Sequence, residues 1–309
     1  MILIGDKLNE EMSKGIYVAL GSFDGVHRGH TLLIDEIVNL AEENKGKSMV
    51  YTFRNHPLSV IDKNKTPRIL IDNKTKEEVL EELGVDILCL REFNNELMKL
   101  SPEDFIQNLV NEFNVKGIVV GFNYRFGYKN EGDLHLLKDL SKKFNFELYI
   151  KKAYTIKDEI VSSTKIRKLV SLGEIKKANE MLGREYVLRG EVVGGRRLGR
   201  TIGFPTANLK TLDNMLIPKM GVYYTNVEVQ GKIYKGITSV GNNPTVNGKN
   251  TTIETYILNF NEDIYGETIK VYFIDRIRDE KKFSGLEELK IQLEKDKSFA
   301  KHQSKSTNL

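Results

Sequence analysis

Two hydrophobic rhythms divide the chain. In the first, short continuous apolar runs alternate with stretches whose apolar residues recur every three or four positions. Ile16-Tyr17-Val18-Ala19-Leu20 is one such run, and residues 31–43 then place Leu33, Ile37, Leu40 and Ala41 on one helical face, with Ile34 and Val38 beside them. Residues 48–53 and the run Asp86-Ile87-Leu88-Cys89-Leu90 read as further strands. Ser101-Pro102-Glu103-Asp104 opens a helix with a capping hydroxyl, proline at the first helical position and acids in the first turn, and Phe105, Leu109 and Phe113 face its core. A strand over 116–122, a helix over 134–144, a strand over 147–154 and a helical pair over 164–182 broken at Gly173 complete this half. Strands alternating with helices predict a doubly wound α/β domain, a parallel sheet covered on both faces.

From 186 to 277 the rhythm changes to short runs of β-branched and aromatic residues. They are separated by turn signals at Gln230-Gly231-Lys232, Asn242-Asn243-Pro244 and Asn247-Gly248. This predicts an antiparallel β-barrel or sandwich, followed by one terminal helix over 286–297 and a polar, frayed end over 301–309. A chain of 309 residues exceeds what one core usually fills. The shift near Leu182-Gly183-Arg184 therefore marks two domains, 1–184 and 185–309.

Composition changes this picture little. Hydrophobic residues at 40% and charged residues at 29% describe an ordinary folded protein. The net charge is +4, with both signs alternating along the chain and no basic stripe with interleaved aromatics. Small anionic substrates fit this better than nucleic acid. A single cysteine, Cys89, excludes an internal disulfide and a thiolate metal site. With no basic-then-apolar leader and no apolar run of about 18 residues, a cytoplasmic protein with no membrane segment is expected. Nothing in the pattern bears on oligomeric state.

The candidate chemistry begins with Gly21-Ser22-Phe23-Asp24-Gly25-Val26-His27-Arg28-Gly29-His30, between the first apolar strand and its helix. Ligands bind at that edge of a parallel sheet. Gly21, Gly25 and Gly29 let the backbone approach a phosphate chain, a helix start at His30 offers amide donors, and two imidazoles three residues apart reach one anion. These parts suit a triphosphate. A phosphate monoester attacking the α-phosphorus of ATP is already anionic near neutral pH, so such a site needs positioning and charge neutralisation more than a base. Taken singly, either histidine reads equally well as a surface residue beside a glycine turn. Downstream, Ser162-Ser163-Thr164-Lys165-Ile166-Arg167 places hydroxyls at a helix start and a cation one turn later, suited to β- and γ-phosphates. In isolation the string reads more readily as a capped helix with a solvated arginine, since capping hydroxyls are widespread.

A second set lies beyond the boundary. Between Gly190 and Asn208, glycines at 194, 195, 199 and 203 alternate with Arg196, Arg197 and Arg200, a loop able to carry cations across a phosphate tail. Walker A spacing is absent. In Thr251-Thr252-Ile253-Glu254-Thr255-Tyr256-Ile257-Leu258, alternation puts Ile253, Thr255 and Ile257 on one face and Glu254 with Tyr256 on the other. A glutamate there is ordinarily a solvated position. A kinase acting on a neutral primary alcohol, however, needs a base or an orienting acceptor.

Together these strings resemble two families. The histidine-x-x-histidine pair resembles the nucleotidylyltransferase superfamily, and the fuller string around it resembles the bacterial FAD synthetase branch. Thr52-Phe53-Arg54-Asn55-His56-Pro57 resembles that branch's second block, with Asn55 where proline is frequent. Gly121-Phe122-Asn123-Tyr124-Arg125-Phe126-Gly127 with Gly132-Asp133 resembles its nucleotide- and flavin-contacting loop, with Asn130 where many members carry a basic residue. Phe204-Pro205-Thr206-Ala207-Asn208 resembles the riboflavin kinase signature, and Gly241-Asn242-Asn243-Pro244-Thr245, Asn259-Phe260 and Ile264-Tyr265-Gly266 resemble the flanks of its catalytic acid.

The likeness runs from about residue 4 to 296 and implies a bacterial bifunctional riboflavin kinase and FMN adenylyltransferase. The barrel would phosphorylate riboflavin to FMN with ATP and Mg2+, and the first domain would adenylylate FMN to FAD with release of pyrophosphate. The resemblance assigns catalysis to His27, His30 and Glu254. It assigns ATP and phosphate contacts to Gly21, Phe23, Asp24, Gly25, Gly29, Ser162, Ser163, Thr164, Arg167, Gly195, Arg200 and Gly203. Asn123 and Arg278 would contact flavin, and Thr206 and Asn208 would hold the metal. A monofunctional riboflavin kinase with a nucleotide-binding first domain is the alternative, resting on Asn55 and Asn130. A barrel that only binds nucleic acid or flavin would leave the glycine-arginine loop and Glu254 without a purpose.

Overall fold

The computed structural model describes residues 1–5, 14–195, 199, 202–245 and 248–303. The chain divides into two compact units, Met1–Ile69 with Asn73–Ser162, and Leu70–Asp72 with Ser163–Leu309.

Six parallel strands carry the first unit: β1 (Ile2–Ile4), β2 (Ile16–Leu20), β3 (Lys47–Phe53), β4 (Ile87–Arg91), β5 (Val115–Gly121) and β6 (Glu147–Lys151). They lie in the order β1-β4-β3-β2-β5-β6. Around them run α1 (Arg28–Glu43), α2 (Leu58–Ile61), α3 (Asn73–Glu82), α4 (Asn95–Lys99), α5 (Pro102–Phe113) and α6 (Leu134–Phe144). β2 is buried at every position, which is why it reads as a continuous apolar run rather than an alternating one. The start of α5 follows its sequence signals: the Ser101 hydroxyl accepts the Asp104 amide at 3.0 Å, with Pro102 in the first turn. β6 stops at Lys151, and a two-stranded ribbon, β7 (Thr155–Ile156) and β8 (Glu159–Ile160), follows it.

Strand order places the ligand crevice. From β2 the chain steps outward to β3 and β4 on one side, then crosses to β5 and β6 on the other. β2 and β5 are neighbours at that reversal, with Val18 opposite Ile118 and Ala19 opposite Val119. The loops leaving their carboxyl ends therefore flank the crevice where ligands bind in open α/β sheets.

The second unit opens with α7 (Ser163–Leu172) and α8 (Ile175–Leu182), separated by Gly173 at φ 78°. Six strands then form a closed antiparallel barrel: β9 (Tyr186–Val193), β10 (Thr206–Lys210), β11 (Gly221–Val229), β12 (Lys232–Thr245), β13 (Gly248–Ile257) and β14 (Thr268–Arg278). The helix α9 (Leu286–His302) closes the chain and runs past the expected end at 297. Both helices α7 and α8 group with the barrel rather than with the sheet. Asn179 of α8 donates to the Phe273 carbonyl and accepts the Tyr186 amide, each at 2.8 Å, which ties the helix to two barrel strands.

Among the predicted turns, Gln230-Gly231 is a two-residue hairpin with both residues left-handed, at φ 50° and 74°. Asn242-Asn243-Pro244 is not a turn. These residues continue β12 in register with β13, so the strand is longer than its turn-forming composition suggests. The turn expected at Asn247 falls on a residue outside those described.

Alternation in the barrel sorts its faces. Thr225, Thr238 and Thr255 sit fully buried on one face of three adjacent strands, with hydroxyls 2.9 Å apart from Thr225 to Thr238 and 2.9 Å from Thr238 to Thr255. On the other face Val222, Tyr224 and Ile237 pack with Ala300 of α9. Thr238→Val removes the middle hydroxyl and strands two buried ones, so we expect a loss of about 1–3 kcal/mol. Replacing all three threonines with valine should recover most of that loss. Urea unfolding followed by tyrosine fluorescence, in a chain without tryptophan, measures both.

Candidate active sites

The loop between β2 and α1 holds a backbone that side-chain-bearing residues avoid. Phe23 (φ 45°) and Val26 (φ 38°) are left-handed, with Gly25 at φ 86° between them. A β-branched residue there is a genuine outlier, and each such residue costs about 1–3 kcal/mol, so the surroundings must over-determine it. Phe23 and Val26 are both buried, and the Val26 amide donates to the Phe23 carbonyl at 3.3 Å. The Ser22 carbonyl accepts two hydrogen bonds, from the Thr52 hydroxyl at 2.9 Å and the Lys76 ammonium at 3.2 Å.

The histidines complete the loop by capping α1. The His27 Nδ1 accepts the His30 amide at 3.3 Å, and the His30 Nδ1 accepts the His27 amide at 3.3 Å, a reciprocal capping box built from two imidazoles. Their rings stack 3.6 Å apart at 13°, and the Phe23 ring tilts against His30 at 5.1 Å. With both Nδ1 atoms accepting, each neutral imidazole carries its proton on Nε2. This corrects the sequence reading. The helix starts at Arg28, and the amide of His30 is taken up within the box.

The three glycines also separate by role. Gly25 supplies a left-handed dihedral. A Cβ at Gly29 would lie 3.1 Å from Cε1 and 3.2 Å from Nδ1 of His27, and one at Gly21 would lie 3.2 Å from the Phe23 ring. Those two positions make room for rings. The Val161 carbonyl stands 3.7 Å from the same hypothetical Gly29 Cβ, so the chain entering Ser162 runs beside the first turn of α1. Asp24 is buried within the loop, and Ser162 is half-buried. Ser163, Thr164 and Arg167 lie in the first two turns of α7, in the second unit.

On the neighbouring strand, the loop after β5 has a rigid base and an exposed tip. Tyr124 stacks on Phe126 at 5.6 Å and 13°, Phe126 pairs with Gly132 through two backbone hydrogen bonds, and a Cβ at Gly132 would press on the Phe126 ring at 2.8 Å. Phe122 and Asn123 are exposed above this base. Asp133 caps α6, and the Leu136 amide at 2.9 Å holds its carboxyl below the usual range.

The two departures from the family pattern have local explanations. The Asn55 carboxamide donates to the Phe93 carbonyl at 2.9 Å and accepts the Phe93 amide at 2.8 Å, joining the loops that follow β3 and β4. Asn130 occupies a left-handed position at φ 59°, where asparagine is favoured. Its neighbour Lys129 carries a cation, 5.1 Å over the Tyr128 ring.

In the barrel, pairing of β10 with β13 sets Asn208 opposite Glu254 and Thr206 opposite Tyr256. The Thr206 hydroxyl donates to Glu254 Oε2 at 3.4 Å. Gly195 is required by size, since a Cβ there would overlap the Asn208 carboxamide. Gly203 is left-handed at φ 84° and exposed. Phe204 is buried 5.0 Å from Tyr256, with the Lys297 ammonium 5.3 Å above its ring. Arg200, like Arg196 and Arg197, lies outside the described residues. The Arg278 guanidinium meets the Asp296 carboxylate at 2.7 and 3.1 Å, and Gln292 donates to the same carboxylate at 2.9 Å. Asp296 is 2% exposed, so the pair anchors α9 to β14.

Sequence reasoning missed Lys76, Thr52 as a clamp, and Asp296. Charged residues in a polar helix read as solvated, and their burial is visible only in three dimensions.

Comparison with known proteins extends over the whole chain. A family model described as FAD synthetase matches residues 9–165, and one described as riboflavin kinase matches 182–304. A bifunctional riboflavin kinase/FMN adenylyltransferase of Bacillus subtilis is 37% identical over 95% of this chain and 93% of its own. One of Listeria monocytogenes is 39% identical over 90% of this chain and 89% of its own. A crystal structure described as a macrolide-efflux protein from Streptococcus pneumoniae overlays with a TM-score of 0.90 at 34% identity, covering 98% of this chain and 100% of that one. Among the described residues, no helix is long and apolar enough to cross a membrane. With both family models matched in order along one chain and bifunctional relatives aligned across nearly all of it, this chain belongs to the bifunctional riboflavin kinase/FMN adenylyltransferase family.

Proposed function

We propose that the barrel phosphorylates riboflavin to FMN at Glu254 and that the parallel-sheet unit adenylylates FMN to FAD at the His27–His30 box, both with ATP and both in the cytoplasm. The observation that supports this most directly is the presence, in one chain, of two donor sets matched to two different nucleophiles. Residues 1–184 are assigned to the second step and 185–309 to the first.

A ribityl hydroxyl is neutral, so its attack on the γ-phosphorus of ATP requires an acceptor for its proton. Glu254 takes that proton as the new oxygen–phosphorus bond forms and ADP departs. The Thr206 hydroxyl orients the carboxylate. Thr206 and Asn208 offer a hydroxyl and a carboxamide oxygen, hard oxygen donors that fit Mg2+. Among the described residues no group of three His, Cys, Asp or Glu side chains is placed to hold a metal alone, so phosphate oxygens would complete its shell. When bound, Mg2+ would neutralise charge on the transferring phosphate. Gly195, Arg200 and Gly203 would carry the loop over that nucleotide, and Arg278 would border the flavin while anchoring α9.

The FMN phosphate is already an anion, so its attack on the α-phosphorus needs no base. The Nε2–H groups of His27 and His30 stabilise charge as pyrophosphate leaves. Gly21, Phe23, Asp24, Gly25 and Gly29 shape the loop. Ser162, Ser163, Thr164 and Arg167 hold the β- and γ-phosphates, and Asn123 beside the exposed Phe122 faces the flavin. The Asn55 and Asn130 departures, explained by local structure, no longer favour a monofunctional kinase.

Glu254→Gln should lower FMN formation about 100-fold or more while leaving adenylylation of supplied FMN within about twofold. His30→Ala should do the reverse. Chromatography of products from riboflavin or FMN with ATP and Mg2+ separates the two, and loss of both activities in either variant would contradict independent sites. Gly29→Ala, which pushes the His27 ring, should lower FAD formation by about 10- to 100-fold. Gly195→Ala, which displaces Asn208, should spare FAD formation and lower FMN formation by about the same factor in the same assay.

A further inference from the structure

Lys76 stands in the first turn of α3, in the polar stretch Asn73-Lys74-Thr75-Lys76-Glu77-Glu78, yet it is only 5% exposed. Lysine is almost never buried without hydrogen-bond partners, because desolvating an ammonium is expensive. Its ammonium donates to the Ser22 carbonyl at 3.2 Å. The fully buried Thr52, on β3, brings its hydroxyl to the same oxygen at 2.9 Å. A carbonyl oxygen has two lone pairs, and both are used here. The start of α3 is itself tied to the sheet edge, since the Asn73 carboxamide donates to the Arg54 carbonyl at 2.9 Å in the loop after β3. The clamp therefore has rigid supports on both sides.

The clamped peptide immediately precedes the left-handed Phe23, whose ring rests against His30. Resting on the reading of His27 and His30 given above, we infer that Lys76 is a positioning residue for adenylyl transfer: with Thr52 it fixes the Ser22 carbonyl, and so holds the strained Phe23–Val26 turn that sets the paired imidazoles. Without one of the two donors the 22–23 peptide is free to rotate toward an ordinary dihedral. Phe23 then withdraws from His30, and the capping box loses its register.

The test is steady-state kinetics of the full-length enzyme with FMN and ATP, alongside riboflavin phosphorylation by the same preparations. Lys76→Met, which keeps the stem and removes the donors, should lower kcat for FAD formation about tenfold or more with a smaller change in KM for FMN. Riboflavin phosphorylation should be unaltered. Lys76→Arg, still able to donate to the carbonyl, should recover part of the loss. Because both donors act on one oxygen, the loss in Thr52→Val/Lys76→Met should be smaller than the product of the single losses.

FAD formation within twofold of wild type in Lys76→Met overturns the inference. So do losses that multiply independently, or an Arg variant no better than Met in a chain of unchanged melting temperature. Should Lys76→Met fail to fold, Thr52→Val, which removes the other donor to the same oxygen, takes its place and should lower kcat for FAD formation likewise. His30→Ala that leaves FAD formation intact would instead overturn the reading of the site itself, which keeps the two failures distinct.

Discussion

A short segment of backbone that ordinary residues disfavour stands at the carboxyl end of β2, and the first unit is organised around keeping it there. Phe23 and Val26 could relax if their side chains were exposed, but both are buried. Their burial offsets the strain, and the Ser22 carbonyl, fixed from β3 and α3, removes the remaining freedom. From that turn follow the entry angle of α1, the reciprocal cap and the orientation of two imidazoles. Such strain persists only where neighbouring structure over-determines it, and here it coincides with the reversal of strand order that opens the crevice.

The barrel reaches precision by another route. Antiparallel register alone brings Thr206, Asn208 and Glu254 together, although Thr206 and Glu254 are 48 positions apart in the chain. No strained dihedral is needed at Glu254, because a strand presents alternate side chains to one face by geometry. Buried threonine hydroxyls on the opposite face satisfy one another, and the Arg278–Asp296 pair secures the helix over the outer surface. The two sites differ as their nucleophiles do. In the function proposed above, a neutral alcohol would meet a carboxylate and an anionic phosphate would meet imidazole N–H donors.

Much of this was legible in the chain. The buried runs, the amphipathic helices and the change of rhythm after residue 182 follow from side-chain periods of 2 and 3.6, which depend only on local geometry. The capping signals of α5 were read correctly for the same reason. Asn242-Asn243-Pro244 misled because its turn propensity is local, while the ladder that overrides it comes from β13. Compactness differed too: α7 and α8 continue the βα rhythm of the first half, yet both group with the barrel, to which Asn179 bonds α8.

The sequence by itself determined which residue types are available and in what local spacing: two histidines a turn apart, hydroxyls at a helix start, a glutamate on an alternating strand. Only the tertiary structure decided which of them act together and in what state. That both Nδ1 atoms accept, that Gly29 is small for the sake of His27, that Lys76 is buried on the Ser22 carbonyl and that Arg278 is held by Asp296 are all consequences of contacts between segments. Local spacing restricts a side chain to a face. Burial and a hydrogen-bonding partner, which fix its protonation site and direction, come from residues that the sequence alone does not place beside it.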